Sequence, residues 1–130
     1  MKFGYTIIYV ADVAETLAFF NLAFGLATRF IADGGDYGEL ETGGTVLAFA
    51  SHALANSNAH GGYQFTDSQE KPLGIEIALV TDDVHAAHEK ALAAGASEHA
   101  PVSQKPWGQV VSYVRCPAGI LIELCSPVGQ

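Results

Sequence analysis

The sequence predicts an α+β fold in which two tandem βαβββ modules form a curved mixed sheet around a ligand cavity. An order of strand, helix and further strands occurs twice along the chain, and the Asp12-Val13 pair that opens the first helix recurs as Asp83-Val84. A long polar segment separates the two copies. Because one half-barrel cannot bury both faces of its sheet, we expect the copies to pair and leave a shared concave surface, where a ligand would bind.

These repeats set the predicted boundaries. We expect one domain over residues 1–130, with module one at residues 2–50, a connecting loop at residues 51–73 and module two at residues 74–127. The hydrophobic fraction of 49% is enough apolar material for one core.

Module one begins with a strand at residues 3–10, which are mostly β-branched or aromatic. Asp12 followed three residues later by Glu15 is a helix N-terminal capping signal. Apolar residues at helical spacing then predict a helix that ends at Gly25 in a left-handed conformation. The apolar stripe consists of Val13, Leu17, Phe20 and Phe24.

Three short strands complete the module, at residues 28–32, 37–41 and 45–50. The pairs Gly34-Gly35 and Gly43-Gly44 separate them and are typical of turns between strands. The polar residues that follow show no period, so we interpret them as a long loop of the kind that often covers a ligand.

Module two repeats the pattern. Alternation over residues 75–79 predicts a strand, Asp83 caps a helix at residues 84–94, and Gly95 ends it. Two strands at residues 109–115 and 120–125 are joined by a turn at Cys116-Pro117-Ala118-Gly119, and a further edge strand is predicted at residues 97–100.

Charge and composition exclude several classes of partner. The chain has 6 basic and 14 acidic residues, for a net charge of −8, and its Lys and Arg residues form no basic stripe, so we expect no nucleic acid partner. No apolar run is long enough for a membrane span, and the N-terminus lacks the pattern of an export signal. The two cysteines are too few for a disulfide framework, and we expect a soluble cytoplasmic protein.

Four segments resemble the vicinal oxygen chelate superfamily, which includes glyoxalase I, the bleomycin and fosfomycin resistance proteins and the extradiol dioxygenases. They are YTIIYVADV at residues 5–13, AFGL at 23–26, IALVTDDV at 77–84 and RCPAGILIEL at 115–124. The resemblance covers nearly the whole chain, and it implies a ligand groove shared by the two modules.

The resemblance also indicates where a divalent metal would bind, at Tyr5, Ala48, Glu76 and Glu123. Only the two glutamates are ordinary metal ligands, because alanine has no donor atom and a neutral phenol is a poor one. The glyoxalase I metal site is therefore incomplete. We expect no cofactor, and any bound metal would be held by Glu76 and Glu123.

Strand alternation predicts which side chains face the cavity, since residues two apart point the same way. Glu76 and Glu123 are the candidate catalytic residues. On the first strand, the candidates are the residues that alternate in phase with Tyr5, which the resemblance assigns to a metal position. The candidates at residues 111–115 are implied by the resemblance itself. The candidate ligand-binding residues are Tyr5, Ile7, Tyr9, Trp107, Val111, Tyr113 and Arg115, with Tyr37 and Glu39 as weaker candidates.

Each candidate also has a structural interpretation. An inward carboxylate must be hydrated, partnered or protonated, so Glu76 and Glu123 are either an acid-base pair or structural groups bonded to Tyr5 or Arg115. Trp107 either stacks on a planar or cationic ligand, closes the end of the barrel, or contacts a second chain.

The histidines are weaker candidates. His88 falls on the buried face of its helix and His85 on the exposed face, so we expect no helical metal site there. His52 and His60 flank the long connection, and they either reach the mouth of the groove or are ordinary loop residues.

Two functional hypotheses follow from the resemblance and the incomplete metal set. The first is a metal-independent protein that binds a small organic molecule, aromatic or cationic, in the shared groove. The alternative is a lyase or isomerase of glyoxalase type, either metal-dependent or using Glu76 and Glu123 as an acid-base pair. The resemblance also implies a homodimer.

Overall fold

The structure, a computed structural model, describes residues 1–59 and 61–129. Its elements in chain order are β1 (Tyr5–Val10), α1 (Val13–Phe24), β2 (Thr28–Ile31), β3 (Tyr37–Leu40), β4 (Val46–Ser51), α2 (His52–Asn58), β5 (Glu76–Val80), α3 (Val84–Ala93), β6 (Ser97–Gln104), β7 (Val110–Arg115) and β8 (Leu121–Cys125). The chain forms two compact units, Met1–Thr66 and Asp67–Gln130. Within the described ranges, none of the helices has the length and hydrophobicity to cross a lipid bilayer.

The first unit contains one mixed sheet of four strands in the order β1-β4-β3-β2. β1 and β4 are parallel, whereas β3 is antiparallel to both β4 and β2. Helix α1 packs on one face, where Leu17, Phe20 and Phe49 are almost fully buried. The opposite face carries Tyr5, Ile7 and the other side chains in phase with them.

Helix α1 has the ends that its sequence predicts. The side chain of Asp12 accepts a hydrogen bond from the backbone N–H of Glu15 at 2.9 Å. Gly25 ends the helix with φ 69° and ψ 19°, a left-handed conformation that glycine adopts without a steric penalty.

The second unit repeats this arrangement with the strand order β5-β8-β7-β6, in which β5 and β8 are parallel. Helix α3 covers one face, and Ile122 and Leu124 are buried beneath it. His88 is 2% exposed, and its ring nitrogens hydrogen bond to Ser112 Oγ at 2.9 Å and to Glu98 Oε1 at 2.8 Å.

The predicted α+β class and both βαβββ modules are confirmed. The predicted edge strand is also present but extends further, over Ser97–Gln104. Its pairing with β7 is interrupted by register shifts, and this explains why the alternation in the sequence is weak.

The structure corrects the prediction made for the connecting segment. We expected residues 51–73 to lack secondary structure, but α2 occupies His52–Asn58. Ser51 Oγ caps this helix by accepting from the N–H of Leu54 at 3.1 Å, and Ala55 is 1% exposed. One buried alanine in seven residues gives no detectable apolar period, so the pattern did not indicate a helix.

The end of this segment belongs to the second unit. The guanidinium of Arg115 donates to the backbone carbonyls of Asp67, Glu70 and Gly119. Gly119 has φ 95°, and a Cβ there would lie 2.5 Å from the carbonyl carbon of Asp67. The chain at residues 67–70 therefore packs directly on the turn between β7 and β8.

Candidate functional site

The candidate site lies on the face of the second sheet that α3 leaves uncovered. Glu123, on the inner strand β8, is paired in register with Ala78 on one side and Tyr113 on the other. Glu76 precedes Ala78 by two residues, so its side chain emerges on the same face. The alternation of β5, β7 and β8 thus brings Glu76, Tyr113 and Glu123 together.

Glu123 interacts with both of the other side chains. Tyr113 Oη donates to Glu123 Oε1 at 2.7 Å. The carboxyl groups of Glu76 and Glu123 lie close enough for Glu123 to raise the pKa of Glu76. A carboxylate can only accept a hydrogen bond, so a bond between the two carboxyl groups requires a proton on one of them.

The local environment favours the neutral form of Glu76. Its pKa is raised, first by desolvation and then by the hydrogen bond to Glu123 and the charge of that group. The bond to Glu123 raises the pKa of Tyr113 to about 12, so its phenol remains a donor. The Cys125 thiol also has a raised pKa, because it is desolvated and lies near the two glutamates. Glu123 Oε1 therefore accepts from a neutral phenol, and the raised pKa values of Glu76 and Cys125 favour the neutral forms of these two neighbours.

The first sheet carries a different tyrosine–glutamate pair on its uncovered face. Tyr37 Oη donates to Glu39 Oε2 at 2.7 Å, and Arg29 Nε lies 3.8 Å from Glu39 Oε1. Glu39 is only 6% exposed. Desolvation raises the pKa of Tyr37 well above its usual value, and the bond to Glu39 raises it further. Both weaker candidates from the sequence therefore lie on the predicted face.

The three predicted ligand contacts of β1 share this face. Tyr5 is 58% exposed, Ile7 is 44% exposed, and Tyr9 is half-buried against Tyr63 with the ring centroids 4.8 Å apart. Their neighbours on β4 are small, and Ala48 lies opposite Ile7. Tyr5, Ile7 and Tyr9 therefore share one face of the sheet, and their contact with a ligand stays a prediction.

The remaining predicted ligand contacts belong to the second unit. Val111 is buried on β7, opposite Cys125. Trp107 is 67% exposed on the β6–β7 turn, where its indole N–H donates to Gln109 Oε1 at 2.9 Å. Arg115 is 8% exposed, and main-chain carbonyls already accept from its guanidinium. This structural role of Arg115 was not evident from the sequence.

The histidines separate as expected on α3, where His88 is buried and His85 is exposed. His60 lies outside the described residues. His52 is part of an aromatic group with Tyr63 and Phe65 that sequence reasoning missed. The only local signal is the aromatic pair at positions 63 and 65, and nothing in the sequence connects it with a histidine eleven residues earlier.

Of the four positions that the resemblance indicated for a metal, only Glu76 and Glu123 carry ordinary ligands for a divalent ion. Ala48 has no donor atom, and the raised pKa of Glu76 opposes the ionised carboxylate that a metal ligand needs. Across residues 1–59 and 61–129, no three His, Cys, Asp or Glu side chains are grouped so that they could hold a metal ion.

Comparison with known proteins agrees with the fold. The model of the Glyoxalase/Bleomycin resistance protein/Dioxygenase superfamily matches residues 2–124. None of the curated protein sequences compared with this chain matches it significantly.

Solved structures of similar fold come from several bacteria. A glyoxalase-related enzyme from Fulvimarina pelagi has a TM-score of 0.83 at 20% identity, over 98% of this chain and 88% of that one. A glyoxalase/bleomycin resistance protein/dioxygenase family enzyme from Burkholderia phytofirmans PsJN has a TM-score of 0.80 at 15% identity, over 97% and 98% of the chains. A glyoxalase/bleomycin resistance protein/dioxygenase from Nocardioides has a TM-score of 0.75 at 16% identity, over 100% and 85%. The chain belongs to the Glyoxalase/Bleomycin resistance protein/Dioxygenase superfamily.

Proposed function

We propose that this protein binds a small organic molecule without a metal, and that a cationic group of the ligand is recognised by Glu76 and Glu123. The observation that carries the proposal is the close pair of carboxyl groups on an uncovered sheet face, with Tyr113 Oη donating to one oxygen of Glu123. A planar cation with two N–H groups could replace the proton between the carboxyl groups and donate to both of them.

The chemistry of the pair supports a cation over an anion. Tyr113 donates to Glu123 as a neutral phenol, and the salt bridges among the described residues include neither Glu76 nor Glu123, so a bound cation would have no basic side chain to displace. The net charge of −8 also favours a cation at long range, although this effect is screened by salt.

Benzamidine and benzamide are suitable probes, because they have the same shape and differ in charge. Chelator-treated protein titrated by calorimetry should bind benzamidine more tightly than benzamide, and Glu123→Gln should weaken benzamidine binding about 10-fold. Glu76 must lose its proton when the cation binds. The measured heat should therefore differ between two buffers of different ionisation enthalpy, and affinity should rise as the pH rises through the raised pKa of Glu76.

Glu89→Gln is the matched control, because it removes the same charge from an exposed position on α3. This variant should bind benzamidine as the unmodified protein does. Equal affinities for benzamidine and benzamide, or equal losses in Glu89→Gln and Glu123→Gln, would contradict the proposal.

The protonated pair also favours a second candidate, a metal-free isomerase or lyase. Glu123 could take a proton from a carbon while Glu76 gives its proton to the neighbouring oxygen, a transfer that leaves the pair with one proton. Turnover of the methylglyoxal–glutathione hemithioacetal in the presence of a chelator, lost in Glu76→Gln, would support this function. Turnover that requires added metal would exclude the metal-free route.

We further propose that the chain forms a homodimer. Large apolar side chains on the uncovered sheet faces remain exposed, among them Tyr5, Ile7 and Val80 at 58%, 44% and 66%. Apolar patches on a sheet face are typical of association surfaces. Light scattering on the purified protein should give twice the mass of 13.7 kDa, and Val80→Glu should shift it toward the monomer.

A further inference from the structure

An aromatic cluster lies at the end of β1 and β4 in the first unit, formed by Tyr9, His52, Tyr63 and Phe65. The imidazole of His52 stacks on the ring of Phe65 with centroids 3.8 Å apart and planes 4° apart. The ring of Tyr63 lies 5.2 Å from Phe65 and 4.8 Å from Tyr9. The four rings form a continuous surface from the uncovered face of the sheet to Phe65.

The cluster is held in place before any ligand arrives. His52 Nδ1 and Tyr63 Oη are 2.6 Å apart. The backbone at His52 is fixed because Ser51 caps α2 and also donates to Asp36 Oδ1 at 2.8 Å. A preformed aromatic surface requires little additional ordering when a ligand binds.

Phe65 is the exposed end of the cluster. The imidazole covers one of its faces, yet the residue remains 50% exposed, so the opposite face of the ring is open to solvent. Exposing an aromatic face of this size is unfavourable in water unless something stacks on it.

The pKa shifts of His52 and Tyr63 both favour the neutral forms of these side chains. Desolvation lowers the pKa of His52, and desolvation together with the charge of Tyr9 raises the pKa of Tyr63. In a neutral pair the phenol is the stronger donor, so Tyr63 donates to Nδ1 of His52 and the imidazole proton lies on Nε2. The cluster therefore offers stacking faces and one N–H donor without a net charge.

We propose that the cluster of Tyr9, His52, Tyr63 and Phe65 is a binding subsite for a flat, uncharged heteroaromatic ring, which stacks on the open face of Phe65. The subsite lies wholly within the first unit and does not depend on Glu76 or Glu123. It recognises aromaticity and planarity, whereas the glutamate pair is proposed to recognise charge. A ligand with both a flat ring and a cationic group would therefore carry two separable recognition elements.

Quinoxaline and N-cyclohexylacetamide are the probes that distinguish stacking from simple apolar contact. Both are small and neutral and carry hydrogen-bond acceptors, but only quinoxaline is flat and aromatic. In an NMR titration of the full chain, quinoxaline should shift the ring-proton resonances of Phe65 upfield and bind more tightly than N-cyclohexylacetamide. Phe65→Leu should weaken quinoxaline binding about 3- to 10-fold, the range expected for one aromatic pair.

Two further variants serve as controls. Phe3→Leu removes another exposed phenylalanine ring of the first unit, 71% exposed, and should leave quinoxaline affinity unchanged. Phe65→Trp restores an aromatic face and should keep or improve the affinity. This second variant separates the loss of stacking from any loss of folding in Phe65→Leu.

The outcomes also separate this subsite from the proposed cation site. Glu123→Gln should leave quinoxaline binding intact, and Phe65→Leu should leave benzamidine binding intact. Equal affinities for the two neutral probes, equal losses in Phe3→Leu and Phe65→Leu, or resonance shifts confined to the second unit would overturn the assignment.

Discussion

Replacing Arg115 with methionine should lower the free energy of unfolding by about 2–4 kcal/mol. The guanidinium is buried, and Nε, Nη1 and Nη2 together make four hydrogen bonds to backbone carbonyls. Such charge-assisted bonds contribute about 1.5–3 kcal/mol each when they are removed singly. Their sum is too large an estimate, because methionine also removes the cost of burying a charge.

Urea unfolding followed by circular dichroism measures this difference. Arg29→Met is the matched control, because the Arg29 side chain is 51% exposed and lies 3.8 Å from its acidic neighbour. Arg29 makes this one long contact, to a glutamate that also accepts from Tyr37, whereas Arg115 makes four hydrogen bonds, so Arg29→Met should cost less than Arg115→Met. If Arg29→Met and Arg115→Met cost the same, the structural role assigned to Arg115 is wrong.

Gly119→Ala tests the same contact from the opposite side. The added Cβ would lie 2.5 Å from backbone carbon and 2.7 Å from backbone nitrogen of residues 67–68, and the residue would also keep a positive φ. Because both substitutions release the same segment from the same turn, the Gly119→Ala, Arg115→Met double variant should lose less stability than the two single losses added together. Full additivity would show that Arg115 does not act by holding this segment.

Three further predictions concern buried or coupled groups. The raised pKa means that the folded chain holds the Glu76 proton more tightly than the unfolded chain does, so the free energy of unfolding should fall as the pH rises through that pKa. Glu76→Gln should therefore be stabilising by about 0.5 kcal/mol at pH 8 but not at pH 4. Ser112→Ala removes a hydrogen-bond partner of buried His88, and urea titration should show that the free energy of unfolding falls by about 1–2 kcal/mol. A fluorophosphonate should not label Ser112, because this residue is 0% exposed. Gly38→Ala would place a Cβ 2.5 Å from Cδ1 of Leu17, and calorimetry should show a loss of about 1–3 kcal/mol.

The elements that sequence predicted best are those set by local chemistry. The N-cap at Asp12, the left-handed Gly25 and the turn ending at Gly119 each depend on residues close in the chain. The resemblance indicated Glu76 and Glu123 as inward-facing residues, and the register of β5 against β8 puts them on one face of the sheet.

The contacts that sequence missed all depend on long-range packing. The guanidinium of Arg115 binds carbonyls that lie 45 and 48 residues earlier, and no pattern indicates which carbonyls a buried arginine will find. The expected partners of the glutamates were Tyr5 or Arg115, whereas the observed partner is Tyr113. It lies directly across from Glu123, a pairing that depends on the register of β7 against β8.

The two halves show how one backbone arrangement carries different chemistry on its uncovered face. Ala48 and Glu123 occupy equivalent positions on the inner strand, and Glu39 and Tyr113 are their respective cross-strand partners. In the second unit the glutamate, Glu123, is on the inner strand β8. In the first unit the glutamate, Glu39, is on the neighbouring strand β3, and the fully buried Ala48 is on the inner strand β4. Because a repeated backbone fixes side-chain direction but not side-chain type, each unit can recognise a different group, and variants in one unit should leave the recognition by the other unchanged.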